Sequence, residues 1–327
     1  MLHILGMGAY HPSIVITNKF IEDLDVGTNA QWIIEKIGIE SRVTTLPLDY
    51  IKATKNQDPR EGRSIASHTP TELAVKASEE ATRLAGISRD KIGLIICNTC
   101  TPNQTSPTES LRIATALGVS CPSYDVLTAC PAFALHIDYL SNFKESELPD
   151  YVLCISTAAM TQKVNYTDRT DGAIWGDGAA AWIVSPRHEG RLSVIESHYA
   201  TDPSRCEAVV VDTFGFFHQD GRAVRDFSVR QTVRLIKAFE EKHELDWSKD
   251  VFVGHQANAT MLRQVTENRD ILASNHWCNV THFGNQAAAG APAVIAMNWD
   301  KIKKGQRIVV AVVGAGLSWG SVLLESK

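Results

Sequence analysis

The sequence predicts an α/β fold built from two similar halves. Short apolar runs alternate with segments of helical periodicity along the whole chain of 327 residues, which is typical of strands covered by helices. A glycine turn that leads into an apolar strand occurs in each half, at 176–178 and again at 314–316. The halves would meet near 186–190, which divides the chain into an N-terminal lobe of residues 1–186 and a C-terminal lobe of residues 187–327.

The first half combines a helix with several buried strands. Thr71 is predicted to open this helix and Gly86 to close it, because the apolar residues between them recur on one face. The apolar run at 92–97 predicts a buried strand. Runs of the same kind at 151–156 and 179–184 predict two more. This half therefore predicts a sheet with a helix packed on it.

The second half repeats the alternation. Apolar runs predict strands at 192–199, 251–254 and 307–313, with another near 318–324. A helix is predicted around 227–242, where the apolar positions fall on one face. The same succession of elements in both halves favours two related lobes.

Residues 43–69 interrupt this pattern. The segment is polar and has no apolar periodicity. A stretch of that length is either a functional loop or a solvated, partly disordered excursion, and both interpretations stay open here.

Composition narrows the functional classes. Hydrophobic residues make up 44% and charged residues 21% of the chain, and the formal net charge is −5. That charge disfavours a broad nucleic-acid surface. We find no apolar run of about 18 residues that would span a bilayer and no signal peptide at the N-terminus, so the expected location is cytoplasmic with no membrane partner.

The seven cysteines do not suggest a disulfide framework, since the number is odd and the chain is long. Cys97 and Cys100 form a lone C-x-x-C without a second pair or suitably spaced histidines, so they are interpreted as buried structural thiols. No metal site is expected.

Cys130 is the candidate nucleophile. It lies between a predicted strand and a predicted helix, and Pro131 follows it. Proline is favoured at the first helical position, which places Cys130 at or near the N-cap. The unpaired N–H groups and helix dipole there should lower the thiol pKa and could hold an oxyanion. A buried structural cysteine is the alternative.

His255 and Asn285 are its candidate partners. His255 follows the apolar run at 251–253, and Asn285 follows a predicted strand at 278–282. Strand ends that face one crevice are where open α/β sheets place their chemistry. Taken singly, His255 could be a hydrogen-bonded structural residue and Asn285 a turn-former. Their occurrence together with Cys130 favours a site.

The chain resembles a β-ketoacyl-[acyl carrier protein] synthase III of the thiolase-like superfamily. The motifs that carry the resemblance occur in the family's order from end to end, and their ordered set is specific. They are Trp32 to Arg42, Ala129-Cys130, Gly176 to Ala180, Gly254-His255-Gln256-Ala257-Asn258, Gly284-Asn285 and Gly314 to Gly320.

The resemblance implies a thiolase-like fold, with two pseudo-symmetric βαβαβαββ lobes in five α-β-α-β-α layers. It also implies a homodimer that takes acyl-CoA, an acyl carrier protein or both as substrates. No separate cofactor is expected, because the substrates themselves carry coenzyme A or phosphopantetheine.

By resemblance, Cys130 accepts an acyl group from a thioester. His255 and Asn285 then stabilise the enolate formed when a malonyl-type extender loses CO₂. The backbone N–H groups of Cys130 and Ala315 would hold the tetrahedral oxyanion.

Four further residues match the family's coenzyme A site. Trp32 matches the position that stacks on adenine, and Arg169 matches an arginine on the other side of that base. Asn258 matches a residue of the pantetheine tunnel. Lys36 stands where an arginine is common, which keeps the charge but loses the planar fork. Trp32 could equally be a packing residue at an exposed edge.

Other positions depart from the family pattern. Thr260 stands where an arginine is frequent and Asp226 where a lysine is frequent. The phosphates of coenzyme A or a carrier protein are therefore expected to dock differently, through basic residues that the sequence offers nearby: Arg222, Arg225 and Arg263.

Ser106 replaces a phenylalanine that often closes the acyl pocket across the dimer interface. A smaller side chain predicts a deeper pocket and an acyl donor longer or bulkier than acetyl. Together with Pro131 and the segment at 46–51, it indicates a secondary-metabolism branch of quinolone, dialkylresorcinol or cyclohexanedione type. Such an enzyme would couple an acyl thioester to a β-ketoacyl thioester.

Three rival functions remain at this point. A thiolase-fold acyltransferase would move the acyl group to an alcohol or amine. A non-catalytic partner subunit would only shape another chain, although such proteins tend to lose the cysteine or histidine. An unrelated Cys–His hydrolase would not explain the turn at 314–320.

Overall fold

The computed structural model describes residues 1–169 and 171–327. The strands are β1 (His3–Tyr10), β2 (Ile14–Thr17), β3 (Ser41–Thr44), β4 (Leu94–Asn98), β5 (Ser123–Asp125), β6 (Val152–Ala159), β7 (Asp177–Ser185), β8 (Leu192–Thr201), β9 (Val209–Val211), β10 (Phe217–Gln219), β11 (Val251–Gly254), β12 (Arg307–Gly314) and β13 (Ser318–Ser326). The helices are α1 (Asn18–Asp23), α2 (Ala30–Lys36), α3 (Leu48–Thr54), α4 (Pro59–Ile65), α5 (Pro70–Ala85), α6 (Glu109–Leu117), α7 (Ala132–Ser141), α8 (Gly221–His243), α9 (Ala259–Asn268), α10 (Val280–Phe283) and α11 (Gly290–Met297).

A large mixed sheet runs through both halves in the order β11-β12-β13-β8-β1-β7-β6-β4-β5. Within it, β4, β5 and β6 are parallel neighbours, as are β11 and β12. The halves join through a short antiparallel pairing in which His3 faces Ser193 and Ile4 faces Leu192. The predicted lobe boundary falls in the connection between β7 and β8, and the division into two lobes stays a prediction.

The helices complete five layers. The strands of both halves contact α7 and α11, while α5 covers β1, β6 and β7 and α8 covers β12 and β13. One buried apolar cluster joins Phe133 of α7 and Val294 of α11 to strands of both halves. The five layers are outer helices, the part of the sheet from the first half (one half-sheet), α7 with α11, the part from the second half (the other half-sheet), and outer helices again. This order confirms the predicted thiolase-like α/β fold.

The predicted helix in the first half is α5, but its cap differs. Thr69 caps it, in a capping box with Glu72, and Gly86 ends it with φ +68° as expected. Thr71 is buried inside the first turn, where its hydroxyl donates to the Glu109 carboxylate. The prediction of Thr71 as the opening residue is therefore wrong by two positions.

Residues 43–69 form an ordered segment that contains α3 and α4. Leu46, Ile51 and Asn56 within it are fully buried. The Asn56 amide donates to the carbonyl of Val164 at 2.8 Å, which fixes the segment against the body of the protein. The expectation of an irregular stretch is wrong because each helix spans only seven residues, too few to show apolar periodicity.

The predicted strand at 278–282 is also wrong. Residues Val280–Phe283 form the short helix α10 instead, and the buried Gln256 side chain accepts the N–H of Asn279 at 2.9 Å just before it. The helix predicted at 227–242 is α8, which begins earlier, at Gly221, because Asp220 caps it. The remaining predicted strands are confirmed within a few residues.

Candidate active site

A single cavity of about 670 Å³ brings Cys130, His255 and Asn285 together. Each of them comes from a different part of the chain. Cys130 precedes α7, His255 follows β11, and Asn285 follows α10. The cavity therefore lies where both half-sheets and the central helical layer meet.

The loop before α7 places Cys130 beside the turn between β12 and β13. Ala129 has a left-handed backbone, with φ +52°, and Pro131 is the N-cap of α7. Cys130 thus directly precedes the N-cap, near the helix start as predicted, while Pro131 is the N-cap and not the first helical residue. A Cβ at Gly314 would lie 2.9 Å from the Cys130 Cβ, so only glycine lets these two segments approach so closely.

Burial dominates the electrostatics of the Cys130 thiol. Burial raises its pKa above the ordinary value, the neighbouring Cys100 thiol adds to the rise, and its own backbone amide offsets only part of it. The lowered pKa predicted from the helix position is therefore wrong for the resting protein. The thiol is protonated near neutral pH and must lose its proton during reaction.

His255 is neutral in this environment. It directly follows β11, and its backbone N–H donates to the carbonyl of Ala311 in β12 at 3.1 Å. Burial lowers the pKa of its imidazole to about 4. A neutral imidazole has one nitrogen that can donate a hydrogen bond and one that can accept a proton.

The Asn285 side chain is oriented by its own loop. Its Oδ1 accepts the N–H of Ala287 at 2.9 Å, and its backbone pairs with Ile174 and Gly176. Because the oxygen is engaged, the NH₂ group is the part of the amide that is left to donate to a molecule in the cavity.

The cavity also contains most of the residues predicted to bind coenzyme A. Trp32, Lys36 and Asn258 line it, as does Ala315, which was predicted to hold the oxyanion. Asn258 caps α9 by accepting the N–H groups of Thr260 and Met261. These residues therefore share one space with Cys130.

Arg169 lies next to this group rather than in the cavity wall. Its guanidinium lies 5.6 Å from the centroid of the Trp32 ring and donates to the carbonyl of Gly27 at 3.0 Å. The two residues predicted to enclose an adenine base are in contact with each other here.

Ser106 is the exception among the predicted site residues. It is exposed in the loop before α6 and does not line the cavity. Its predicted role depends on a second copy of the chain, and it stays a prediction.

Sequence reasoning missed two polar residues in the cavity wall, Asp171 and Gln219. Gln219 Nε2 donates to Asp171 Oδ1 at 3.1 Å, and burial raises the pKa of the Asp171 carboxyl to about 6. No local motif could have revealed this pair, because its members lie 48 positions apart and meet only in the fold. Arg222 and Arg225, expected only as docking residues, line the same cavity.

Within residues 1–169 and 171–327, no group of three histidine, cysteine or acidic side chains is arranged to hold a metal ion. No helix in these ranges has both the length and the apolar character to cross a bilayer.

Two family models match the chain. Residues 124–203 match the model for 3-oxoacyl-[acyl-carrier-protein (ACP)] synthase III. Residues 242–326 match the model for the C-terminal part of the same enzymes. The two matched regions contain Cys130, His255 and Asn285.

Relatives cover nearly the whole chain. A β-ketoacyl-[acyl-carrier-protein] synthase III of Bacteroides thetaiotaomicron is 30% identical, over 98% of this chain and 95% of its own length. The solved structure of 3-oxoacyl-[acyl-carrier-protein] synthase III from Aquifex aeolicus superposes with a TM-score of 0.87 at 27% identity, covering 99% and 100% of the two chains. A priming β-ketosynthase of a polyketide pathway has the same fold, with a TM-score of 0.83 at 23% identity and 100% and 97% coverage.

Proposed function

The chain belongs to the 3-oxoacyl-[acyl-carrier-protein] synthase III family, and from that premise we propose how its cavity carries out the condensation. The protein is a ketosynthase that joins an acyl thioester to a malonyl thioester. The observation that carries the mechanism is the shared cavity of Cys130, His255 and Asn285. A thiol, a neutral imidazole and an amide donor are the groups that a decarboxylating condensation requires.

In the first half-reaction Cys130 becomes acylated. Its sulfur attacks the thioester carbonyl as its proton passes to the neutral imidazole of His255. The resulting tetrahedral oxyanion is held by the N–H groups of Cys130 and Ala315. Collapse breaks the bond to the donor's sulfur, and that thiol leaves with the proton returned by the imidazole. The raised pKa of Cys130 favours such a coupled transfer over a standing thiolate.

In the second half-reaction the extender loses CO₂. The carbon–carbon bond to the carboxylate breaks, and its electron pair forms an enolate on the thioester. Neutral His255 and the NH₂ group of Asn285 donate to the enolate oxygen. The carbanion then attacks the acyl-enzyme, and the Cys130 thiolate departs and takes up a proton from solvent, which balances the negative charge of the carboxylate lost as CO₂. Both donors are fixed before reaction, so little reorganisation is needed.

The mouth of the cavity would bind the coenzyme A or carrier protein that delivers each substrate. Trp32 and Arg169 would receive the adenine of coenzyme A by separating from each other, while Lys36, Arg222 and Arg225 would bind its phosphates or an acidic carrier protein. Substrates of this kind are consistent with a cytoplasmic location.

A second candidate keeps the acyl-enzyme and changes its partner. A homodimer would bring Ser106 of one copy to the pocket of the other, where a small side chain leaves room for a long or bulky donor. Such a pocket suits a secondary-metabolism enzyme that couples the acyl group to a β-ketoacyl thioester. Measuring whether CO₂ release accompanies each bond formed distinguishes the two candidates.

Intact-protein mass spectrometry tests the proposal. Wild type and Cys130→Ala are incubated with acyl-CoA and acyl-carrier-protein donors from acetyl to long-chain and aromatic. An added acyl mass on wild type alone supports the mechanism, and the preferred length tests the role of Ser106. Equal labelling of Cys130→Ala, or no labelling of wild type by any donor, would overturn it and favour a partner-subunit role.

A further inference from the structure

We propose that Asn98 is a positioning residue that orients the oxyanion-binding peptide of Cys130; the inference rests on the function proposed above. Asn98 is the last residue of β4 and is only 1% exposed. Its side chain spans the loop before α7. Oδ1 accepts the N–H of Thr128 at 3.0 Å, and Nδ2 donates to the carbonyl of Ala129 at 3.4 Å.

The second of these bonds acts on the reacting peptide itself. The Ala129 carbonyl and the Cys130 N–H belong to one peptide unit. In a planar trans peptide the two groups point in opposite directions. A donor that fixes the carbonyl therefore fixes the direction of the N–H as well. It also polarises the unit, which strengthens the N–H as a donor.

The loop needs such a restraint because its backbone is strained. Ala129 holds a left-handed conformation, which is sterically costly for a residue other than glycine. Asn98 offsets this cost by bonding the Thr128 N–H before Ala129 and the carbonyl of Ala129 itself. A second anchor comes from the other half of the protein, where the Tyr199 hydroxyl of β8 bonds to the Thr128 hydroxyl.

Asn98 acts only through this peptide. It is not among the residues that line the cavity, so it has no route to the substrate in the ground state. Its loss should weaken an interaction that forms fully only when the carbonyl becomes tetrahedral. Such losses lower the rate at saturating substrate and leave substrate affinity unchanged.

The substitution Asn98→Asp isolates the bond to Ala129. The side chains have nearly the same shape, and a carboxylate oxygen can still accept the N–H of Thr128. The aspartate carboxylate, however, has no N–H to donate to the carbonyl of Ala129. Asn56→Asp is the matched control, because Asn56 is equally buried and donates to a backbone carbonyl away from the cavity.

The measurement is single-turnover acylation by the donor that labels wild type, followed by mass spectrometry. It gives the acylation rate at saturating donor and the half-saturating donor concentration. We expect Asn98→Asp to slow acylation about 10–100-fold, with a half-saturating concentration within twofold of wild type. Asn56→Asp should keep the wild-type rate despite a similar loss in Tm.

Three outcomes would overturn the inference. The rate of Asn98→Asp could equal that of wild type, or its half-saturating concentration could rise in proportion to the loss in rate. Asn56→Asp could also slow acylation equally. If wild type itself is never acylated at Cys130, the proposed function fails first. Should Asn98→Asp not fold, Asn98→Ser, which is too short to span both contacts, is judged by the same outcomes.

Discussion

At the residue scale, burial sets the protonation of the two titratable groups in the site, because it raises the pKa of the Cys130 thiol and lowers that of the His255 imidazole to about 4. Cys130, His255 and Asn285 follow strand or helix ends in recognisable motifs, so their meeting in one cavity could be predicted. The direction of the thiol pKa shift could not be predicted, since burial raises the pKa by more than the backbone N–H at the helix start lowers it. The contacts of Asn98 likewise depend on the path of the loop before α7.

Gly314 gives a prediction at this scale. A Cβ at this position would lie 2.7 Å from the Pro131 Cδ and 3.1 Å from the Cys130 N. Gly314→Ala should therefore displace the oxyanion-binding loop and lower the acylation rate by about 10²-fold or more, since an error of about 1 Å can cost that much.

The control for this prediction is Gly118→Ala. Gly118 has open space around it but a positive φ, so alanine there strains the backbone and the variant reports how a destabilising Gly→Ala change away from the cavity affects acylation. Mass-spectrometric acylation rates and Tm values are compared for both. Unchanged acylation in Gly314→Ala would mean that the turn between β12 and β13 does not restrain Cys130.

At the element scale, long apolar runs were predicted well and short helices were not. The strands β6, β7, β12 and β13 are almost entirely buried, so their apolar composition is a direct signal. Helix α10 spans four residues, and its position depends on the buried Gln256 side chain. No local pattern records such a contact.

The capping box of α5 supports a second prediction. Thr69 accepts the N–H of Glu72, and the Glu72 carboxylate accepts the N–H of Thr69 at 2.7 Å. Thr69→Ala should lower the free energy of unfolding by about 1 kcal/mol, measured by urea denaturation, without changing acylation.

Thr115→Ala is the matched control for the cap. Thr115 lies inside α6, and its hydroxyl bonds to the carbonyl of Leu111 one turn earlier, so its loss should change stability by a few tenths of a kcal/mol at most. Equal effects of the two substitutions would argue that the capping box contributes nothing beyond helix propensity.

At the scale of the whole molecule, five layers bury several ionisable groups, which makes stability depend on pH. Burial lowers the pKa of His11, His136, His255 and His276 to about 4 in each case. In the unfolded chain the same imidazoles take up a proton near pH 6.5, the ordinary pKa of histidine. Their stabilising contribution is therefore fully present above pH 6.5 and is lost as the pH falls through 4.

Asp171 acts in the opposite sense. Its pKa is raised to about 6, so its contribution is present below about pH 4 and is lost as the pH rises through 6. The four histidines outnumber it, and stability should fall on acidification from pH 6.5 to 4. Urea midpoints measured across this range test the sign.

His136 allows the effect to be assigned to one group. It is fully buried in α7, with Nε2 at 3.0 Å from the carbonyl of Val126 and its ring beside Trp182. In His136→Gln the amide can still donate to that carbonyl but cannot take up a proton. The variant should be less stable at pH 7, because packing is lost, yet its stability should fall less steeply below pH 6.5.

The slope difference has a physical ceiling. One proton changes the free energy of unfolding by at most about 1.4 kcal/mol per pH unit, so His136→Gln should flatten the curve by up to that amount. His282→Gln removes an exposed histidine and is the control. If both variants kept the wild-type slope between pH 6.5 and 4, His136 would not be a source of the acid sensitivity. Other buried groups would then have to account for it.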